Sequence, residues 1–308
     1  MILCCGEALI DMIPSLSGEG HNSFVPHSGG AVFNTAIALG RLGAKTGFVT
    51  GLSRDLFGVQ LSQSLVDSKV DCSLVVKSDL PTTLAFVQLQ DGHATYTFYD
   101  ENTAGRSLTP DQLPDLPDTV SALYFGGISL ISEPCADFYA ALARREAGRR
   151  LIMIDPNIRA AFINDEARYR ARLDQMIAVA DIVKVSDEDL DWIVPGSQSM
   201  TEKAAGICSK GVRAVIITKG GDGATALFAD GRQIDVAAQP VEIVDTVGAG
   251  DTFNAGVLAN LADNGLLKKS ELSRIGAPEM HSALSFGAKV AAVTVARAGA
   301  NPPWSHEL

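Results

Sequence analysis

The sequence predicts an α/β fold: a doubly wound, mainly parallel sheet with helices on both faces, carrying a small β flap or lid. Two observations lead there. Short apolar runs alternate with stretches of helical period, the signature of strand–helix–strand units. Several of those runs, LIMID at 151–155, IVKV at 182–185 and AVIIT at 214–218, are almost continuously apolar. Strands read this way when helices cover both faces of their sheet.

Taken in order, strands are expected over Ile2–Gly6, Gly47–Gly51, Ala122–Phe125, Leu151–Asp155, Ile182–Val185 and Ala214–Thr218. Helical stretches fall between them at 31–42, 55–67, 134–147, 165–179 and 199–209. A further helix opens from the Gly-rich turn near Gly250, and a last one is expected at 278–297. Two segments break the alternation. Residues 82–99 form two β-rich runs around Asp91–Gly92, a hairpin signal. Residues 22–28, NSFVPHS, make another short strand. The reading is one domain over 1–308, with a lid built from 12–28 and 80–105 over one end.

The chain has 308 residues, 46% hydrophobic and 20% charged, enough for a sizeable core. Its net charge of -11 repels nucleic acid phosphates and anionic lipid, so neither is expected as a partner. The same charge repels any phosphorylated ligand, whose site must gather positive potential locally. The start, MILCCGEALIDM, lacks a basic n-region and is interrupted by Glu7 and Asp11, so it does not read as a signal peptide. No run approaches the roughly 18 apolar residues of a membrane span. Five cysteines without C-x-x-C spacing point to reduced thiols in a cytoplasmic protein. The five histidines form no metal-ligand pattern. No G-x-x-x-x-G-K-[ST] is present, and the first turn, GEALID, is not the G-x-G-x-x-G of a dinucleotide enzyme.

The densest motif is DTVGAGDTFNAG, Asp245–Gly256. Gly248 and Gly250 let the backbone approach a ligand closely. The helix that starts there offers unpaired amides and its positive dipole end, a site suited to an anion. Asp251 stands in its first turn, where an acid is either a helix cap or a base beside the anion. An anion cradle with a carboxylate suits phosphoryl transfer, in which the amides stabilise the moving group and the acid accepts a proton.

This motif resembles the C-terminal signature of the ribokinase-like (PfkB) sugar kinases. A second stretch, Gly29-Gly30-Ala31-Val32-Phe33-Asn34 with Leu39-Gly40-Arg41-Leu42-Gly43, is similar to the family's N-terminal signature. Gly6-Glu7 followed by Asp11 resembles its G-E-x-x-x-D. The resemblance runs over essentially the whole chain. It implies a kinase that moves the γ-phosphoryl of ATP to a sugar's primary hydroxyl, with Asp251 as catalytic base and Gly248, Ala249 and Gly250 as the anion hole. It implies that Asp11 and Asn34 bind sugar hydroxyls, that Gly29 and Gly30 admit the sugar, and that Arg159 lies near phosphate or substrate. It places Thr218, Gly220 and Gly223 at the nucleotide, and Asp245, the Val247 carbonyl and Gly299 at a monovalent cation such as K⁺. The family's usual N-x-x-E is here Ser186-Asp187-Glu188-Asp189. Ser186 then falls to the nucleotide and Asp189 to Mg²⁺, which favours hard oxygen ligands.

For the sugar, the ending Gly299-Ala300-Asn301-Pro302-Pro303-Trp304 resembles that of bacterial fructokinases and points to D-fructose. Tyr96, Phe98 and Tyr99 on the flap could pack on a sugar's C–H face, and Asp100 beside them would repel a sugar acid. The alternatives are 2-keto-3-deoxygluconate, then ribose or another neutral sugar. The flap's β edges are candidates for pairing two copies into a homodimer.

Overall fold

The computed structural model describes residues 1–18, 20–90 and 93–308. Among them, nine strands form one sheet. Its central part is parallel and runs, in spatial order, Ala214–Thr218, Ile182–Ser186, Leu151–Asp155, Ala122–Gly126, Ile2–Cys5, Thr46–Val49 and Val70–Asp71. Two antiparallel strands, Ala224–Phe228 and Gln233–Val236, extend one edge. They follow the turn after Thr218 and are not among the strands expected from the sequence.

The continuous apolar runs are explained by the core. Cys4, Tyr124 and Met153 pack into one apolar cluster, while their neighbours Cys5, Phe125 and Ile154 pack into another on the opposite face. Successive strand residues point to opposite faces, so a strand covered twice needs an apolar residue at every position. Helices Ala31–Arg41, Ala249–Asp263 and Ala277–Val295 cover the first face. Helices Cys135–Glu146, Glu166–Ile177 and Met200–Cys208 cover the second. A Cβ on Gly256 would lie 2.7 Å from the Gly287 Cα, so paired glycines let two first-face helices pack backbone to backbone.

A second sheet has four strands, in the order Asn22–Gly29, Leu9–Leu16, Leu84–Gln90 and His93–Tyr99. The strand over Leu9–Leu16 is a correction, since the segment from Gly6 to Asp11 reads as a turn. Residues 100–105 are turn rather than strand. The hairpin signal Asp91–Gly92 lies outside the described residues, although the flanking strands pair antiparallel. Expected strand Gly47–Gly51 divides at Thr50, and Gly51–Ser53 pairs with Val76–Ser78 in a two-stranded sheet. The five cysteines are unpaired. Among the described residues no helix is long and apolar enough to cross a membrane.

Candidate active site

A cleft of about 470 Å³ opens at the carboxyl ends of the parallel strands, walled on one side by the four-stranded sheet. Open α/β sheets bind ligands at this end, and the volume suits a small molecule. Helix Ala249–Asp263 begins on its floor. Gly248, before it, has φ 78°, and a Cβ there would stand 2.7 Å from the Ala300 Cβ. Conformation and space both demand glycine. The Ala249 amide makes a long turn bond, 3.3 Å, to the Thr246 carbonyl. Among the described residues the amides of Gly248, Gly250 and Asp251 have no backbone acceptor, so these three stand open at the helix start beside the Ala249 amide of the expected cradle.

Asp251 is buried, and its carboxylate caps no helix amide. Its Oδ2 accepts a hydrogen bond from Asn34 Nδ2 at 2.9 Å. Burial pushes this carboxyl up to about 7; the Asn34 amide opposes the rise, Asp155 and Glu7 add to it, and Lys184 opposes it. A buried carboxylate titrating near neutrality, beside free helix amides, can take a proton from a hydroxyl while an anion rests on the amides.

Asn34 comes from helix Ala31–Arg41, whose N-cap Gly30, with φ 107°, has no side chain to satisfy the first amides. Glu7 does so instead: Oε1 accepts from Ala31 N at 2.9 Å and Oε2 from Ser129 N at 3.2 Å. Asp11 lies on the same side of the cleft, its carboxyl raised to about 6 by burial and then by Glu7. A Cβ on Gly29 would fall 2.1 Å from Asp11 Oδ2, so glycine is what lets this carboxylate lie against the turn.

Strand alternation sorts the aromatic residues. Tyr96 and Phe98 face the cleft, with Phe98 edge-on to Phe162 at 4.3 Å between ring centres. Tyr99 is on the outer face, 62% exposed and packed against Phe86, so it is removed from the sugar-facing set. Asp100 is also corrected: it accepts from Arg106 Nη1 at 2.7 Å and Ser132 Oγ at 2.8 Å, and does not line the cleft.

On the far wall, Thr218 lines the cleft, while Gly220 and Gly223 form the turn behind it, with φ 53° and 88°. Ser186 and Asp189 cap helix Asp187–Ile193 reciprocally. Asp189 Oδ2 accepts from Ser186 N at 3.2 Å and Oδ1 from Ile158 N at 2.9 Å, so both oxygens of the expected magnesium ligand already serve backbone amides. The exposed carboxylate on this wall belongs to Glu188, which sequence reasoning passed over. Arg159 is exposed on the cleft wall and donates to the Ile158 carbonyl at 3.1 Å. Asp245 stands behind the cleft, accepting from Val247 N at 3.0 Å and Gly299 N at 2.8 Å, and so ties the Gly248 turn to the C-terminal tail. Among the described residues no group of three or more His, Cys, Asp or Glu could hold a metal ion.

One cluster was missed altogether. Lys184 Nζ donates to Asp155 Oδ2 at 2.9 Å, and Asn254 Nδ2 donates to the same oxygen at 2.7 Å and to the Tyr124 hydroxyl at 2.9 Å. The one sequence signal was a lysine inside the apolar run IVKV.

The family model described as pfkB family carbohydrate kinase matches residues 1–307. The chain is 51% identical to a fructokinase of Rhizobium leguminosarum bv. trifolii over 276 residues, 89% of this chain and 84% of that one. Among solved structures, a fructokinase from Xylella fastidiosa with bound ATP superposes with a TM-score of 0.88 at 26% identity, covering 97% of this chain and 93% of that one. A fructokinase double mutant from Vibrio cholerae, in a fructose-, ADP- and potassium-bound form, gives a TM-score of 0.84 at 25% identity, with 97% and 93% covered.

Proposed function

Because this chain belongs to the pfkB family of carbohydrate kinases, we propose that it transfers the γ-phosphoryl group of ATP to the primary hydroxyl of D-fructose, giving fructose 6-phosphate. The observation that carries the chemistry is Asp251, a buried carboxylate raised to about 7 at the open end of a helix. It takes the hydroxyl proton as the sugar oxygen forms its bond to phosphorus and the bond from phosphorus to the ADP oxygen breaks. The amides of the Gly248–Asp251 turn hold the charge on the moving group.

The other roles follow from position in the cleft. Asp11 and Asn34 take sugar hydroxyls, Gly29 and Gly30 give the sugar room, and Phe98 packs on its C–H face. Ser186, Thr218 and the Gly220–Gly223 turn take the nucleotide, and Arg159 takes a phosphate oxygen. The four-stranded sheet acts as a lid that keeps water from the phosphoryl group. Magnesium fits the donor set only as an ion that arrives on the phosphates and keeps most of its waters. Glu188, with Asp189 behind it, would hold it, and it would neutralise phosphate charge. Asp245, the Val247 carbonyl and Gly299 are proposed for a monovalent cation beside the anion hole, to be tested as potassium dependence of turnover.

Fructose is favoured by the 51% identity to the Rhizobium enzyme and by acids, Asp11 and Glu7, on the sugar side of the cleft. These would repel a sugar acid. A second reading, 2-keto-3-deoxygluconate, draws on the exposed Arg159. The test compares kcat/KM for fructose, 2-keto-3-deoxygluconate, ribose and tagatose under one Mg-ATP concentration. A sugar-acid value tenfold above fructose, about 1.4 kcal/mol in transition-state binding, sinks the fructose reading and leaves the kinase. The exposed Phe24, Val25 and Leu16 of the lid support pairing of two copies there, testable by sedimentation. The unpaired thiols support a reducing compartment such as the cytoplasm.

A further inference from the structure

We propose that Lys184 is a catalytic cation whose ammonium group contacts the phosphoryl group in transit, held in place by Asp155. The inference rests on the kinase reading above and adds a residue to it. Lys184 sits on the strand Ile182–Ser186 with a side chain only 5% exposed. Its Nζ lies 3.4 Å from where a Cβ of Gly250 would stand, in the first turn of the helix that carries the open amides, and it lines the cleft together with Asp251.

The charge distribution needs such a group. The cleft is lined by the acids Glu7, Asp11, Glu188, Asp189 and Asp251, against two cations, Lys184 and Arg159. Arg159 is exposed and bonded to its own loop. A triphosphate approaching this wall meets net negative charge even with both cations counted, so its phosphates need positive charge close at hand, and a buried cation is screened far less than an exposed one. The ammonium has three donors. Among the described residues only Asp155 takes one of them, which leaves donors for a ligand on the cleft side. Asp155 divides its attention, since its Oδ2 also accepts from Asn254.

A purely structural pair is the competing account. Buried ion pairs seldom add stability over apolar residues of similar volume, because desolvation offsets the attraction. The neighbouring pair in register, Ile154 and Val183, is apolar. The charged pair is one residue further along, with Asp155 at the carboxyl end of its strand and Lys184 reaching the cleft.

The double variant removes both charges together, so that neither is left buried alone, whereas Asp155→Asn keeps the ammonium without its partner. Lys184→Met/Asp155→Asn is compared with Asp155→Asn and wild type, using whichever sugar of the panel wild type phosphorylates. The expected result is a folded double variant with kcat down by about 100-fold or more, ADP affinity within threefold, and Asp155→Asn far less affected. A double variant that turns over within threefold of wild type overturns the role of Lys184. If the double variant does not fold, Lys184→Arg serves, because it keeps the charge beside Asp155 but replaces the compact ammonium near Gly250 with a longer, planar head. A tenfold or greater loss of kcat with both KM values within threefold is then expected, and wild-type turnover overturns the proposal. A wild-type chain that consumes no ATP with any sugar sinks the kinase reading instead, so the two failures are distinct.

Discussion

Asn34 Nδ2 donates to Asp251 Oδ2 at 2.9 Å across 217 positions of sequence. The next residue, Thr35, donates through its hydroxyl to the Asp251 backbone carbonyl at 3.2 Å. The two Gly-rich motifs therefore meet as neighbouring helix starts, and the residue expected to bind sugar also orients the expected base.

Asp251→Asn should keep the fold and lose turnover by about 10²–10⁴-fold, the usual contribution of a positioned general base. Circular dichroism and a coupled ADP-release assay check the two halves. Turnover within a few-fold of wild type would reduce Asp251 to a polar group that anchors Asn34.

The raised carboxyl gives two pH signatures. Turnover should climb as pH rises through about 7, where Asp251 becomes a base. Stability runs the other way. A carboxyl at about 7 in the fold and about 3.9 unfolded holds its proton more tightly when folded, so stability falls as pH rises between those values. Asp251→Asn removes that penalty and should raise the melting temperature more at pH 8 than at pH 5. An equal shift at both pH values would place the raised carboxyl elsewhere.

Asp11→Ala should raise KM for the sugar at least tenfold and KM for ATP by less than threefold. Asn34→Ala should also raise sugar KM, but because its amide holds the Asp251 carboxyl down, the variant should lower kcat and move the acid limb to higher pH. Titrating each substrate separately, with a pH profile, distinguishes the pair; an unmoved limb in Asn34→Ala would uncouple it from the base.

Gly248→Ala forces a side chain into a left-handed backbone, at about 1–2 kcal/mol, and against Ala300. Turnover should drop at least tenfold with a melting-temperature loss of a few degrees, because the cradle amides must shift. A variant that melts lower yet turns over normally would detach this turn from catalysis.

Phe98→Ala should weaken sugar binding and leave ATP binding unchanged, whereas Tyr99→Ala, on the outer face of the same strand, should leave both KM values within twofold. Equal losses in the two variants would mean the strand acts only through its packing.

The sequence by itself determined the layered α/β architecture, since doubly covered strands must be apolar at successive positions, as in LIMID and AVIIT. It also determined the anion-ready turn at Gly248–Asp251, because glycine spacing and a helix start are local properties. The tertiary structure decided everything that depends on which distant groups share space. Only burial, with the charges of Asp155 and Glu7 nearby, makes Asp251 a carboxyl that titrates near neutrality. Only strand direction turns Tyr99 outward and Phe98 inward, and only the Arg106 and Ser132 contacts take Asp100 out of the cleft. Lys184 shows the division most clearly. In the sequence it is one polar letter in an apolar run, and its meaning comes from Asp155 on the adjacent strand and Gly250 on a helix that the chain reaches much later. Local backbone preference is written residue by residue, whereas electrostatic environment belongs to the assembled site.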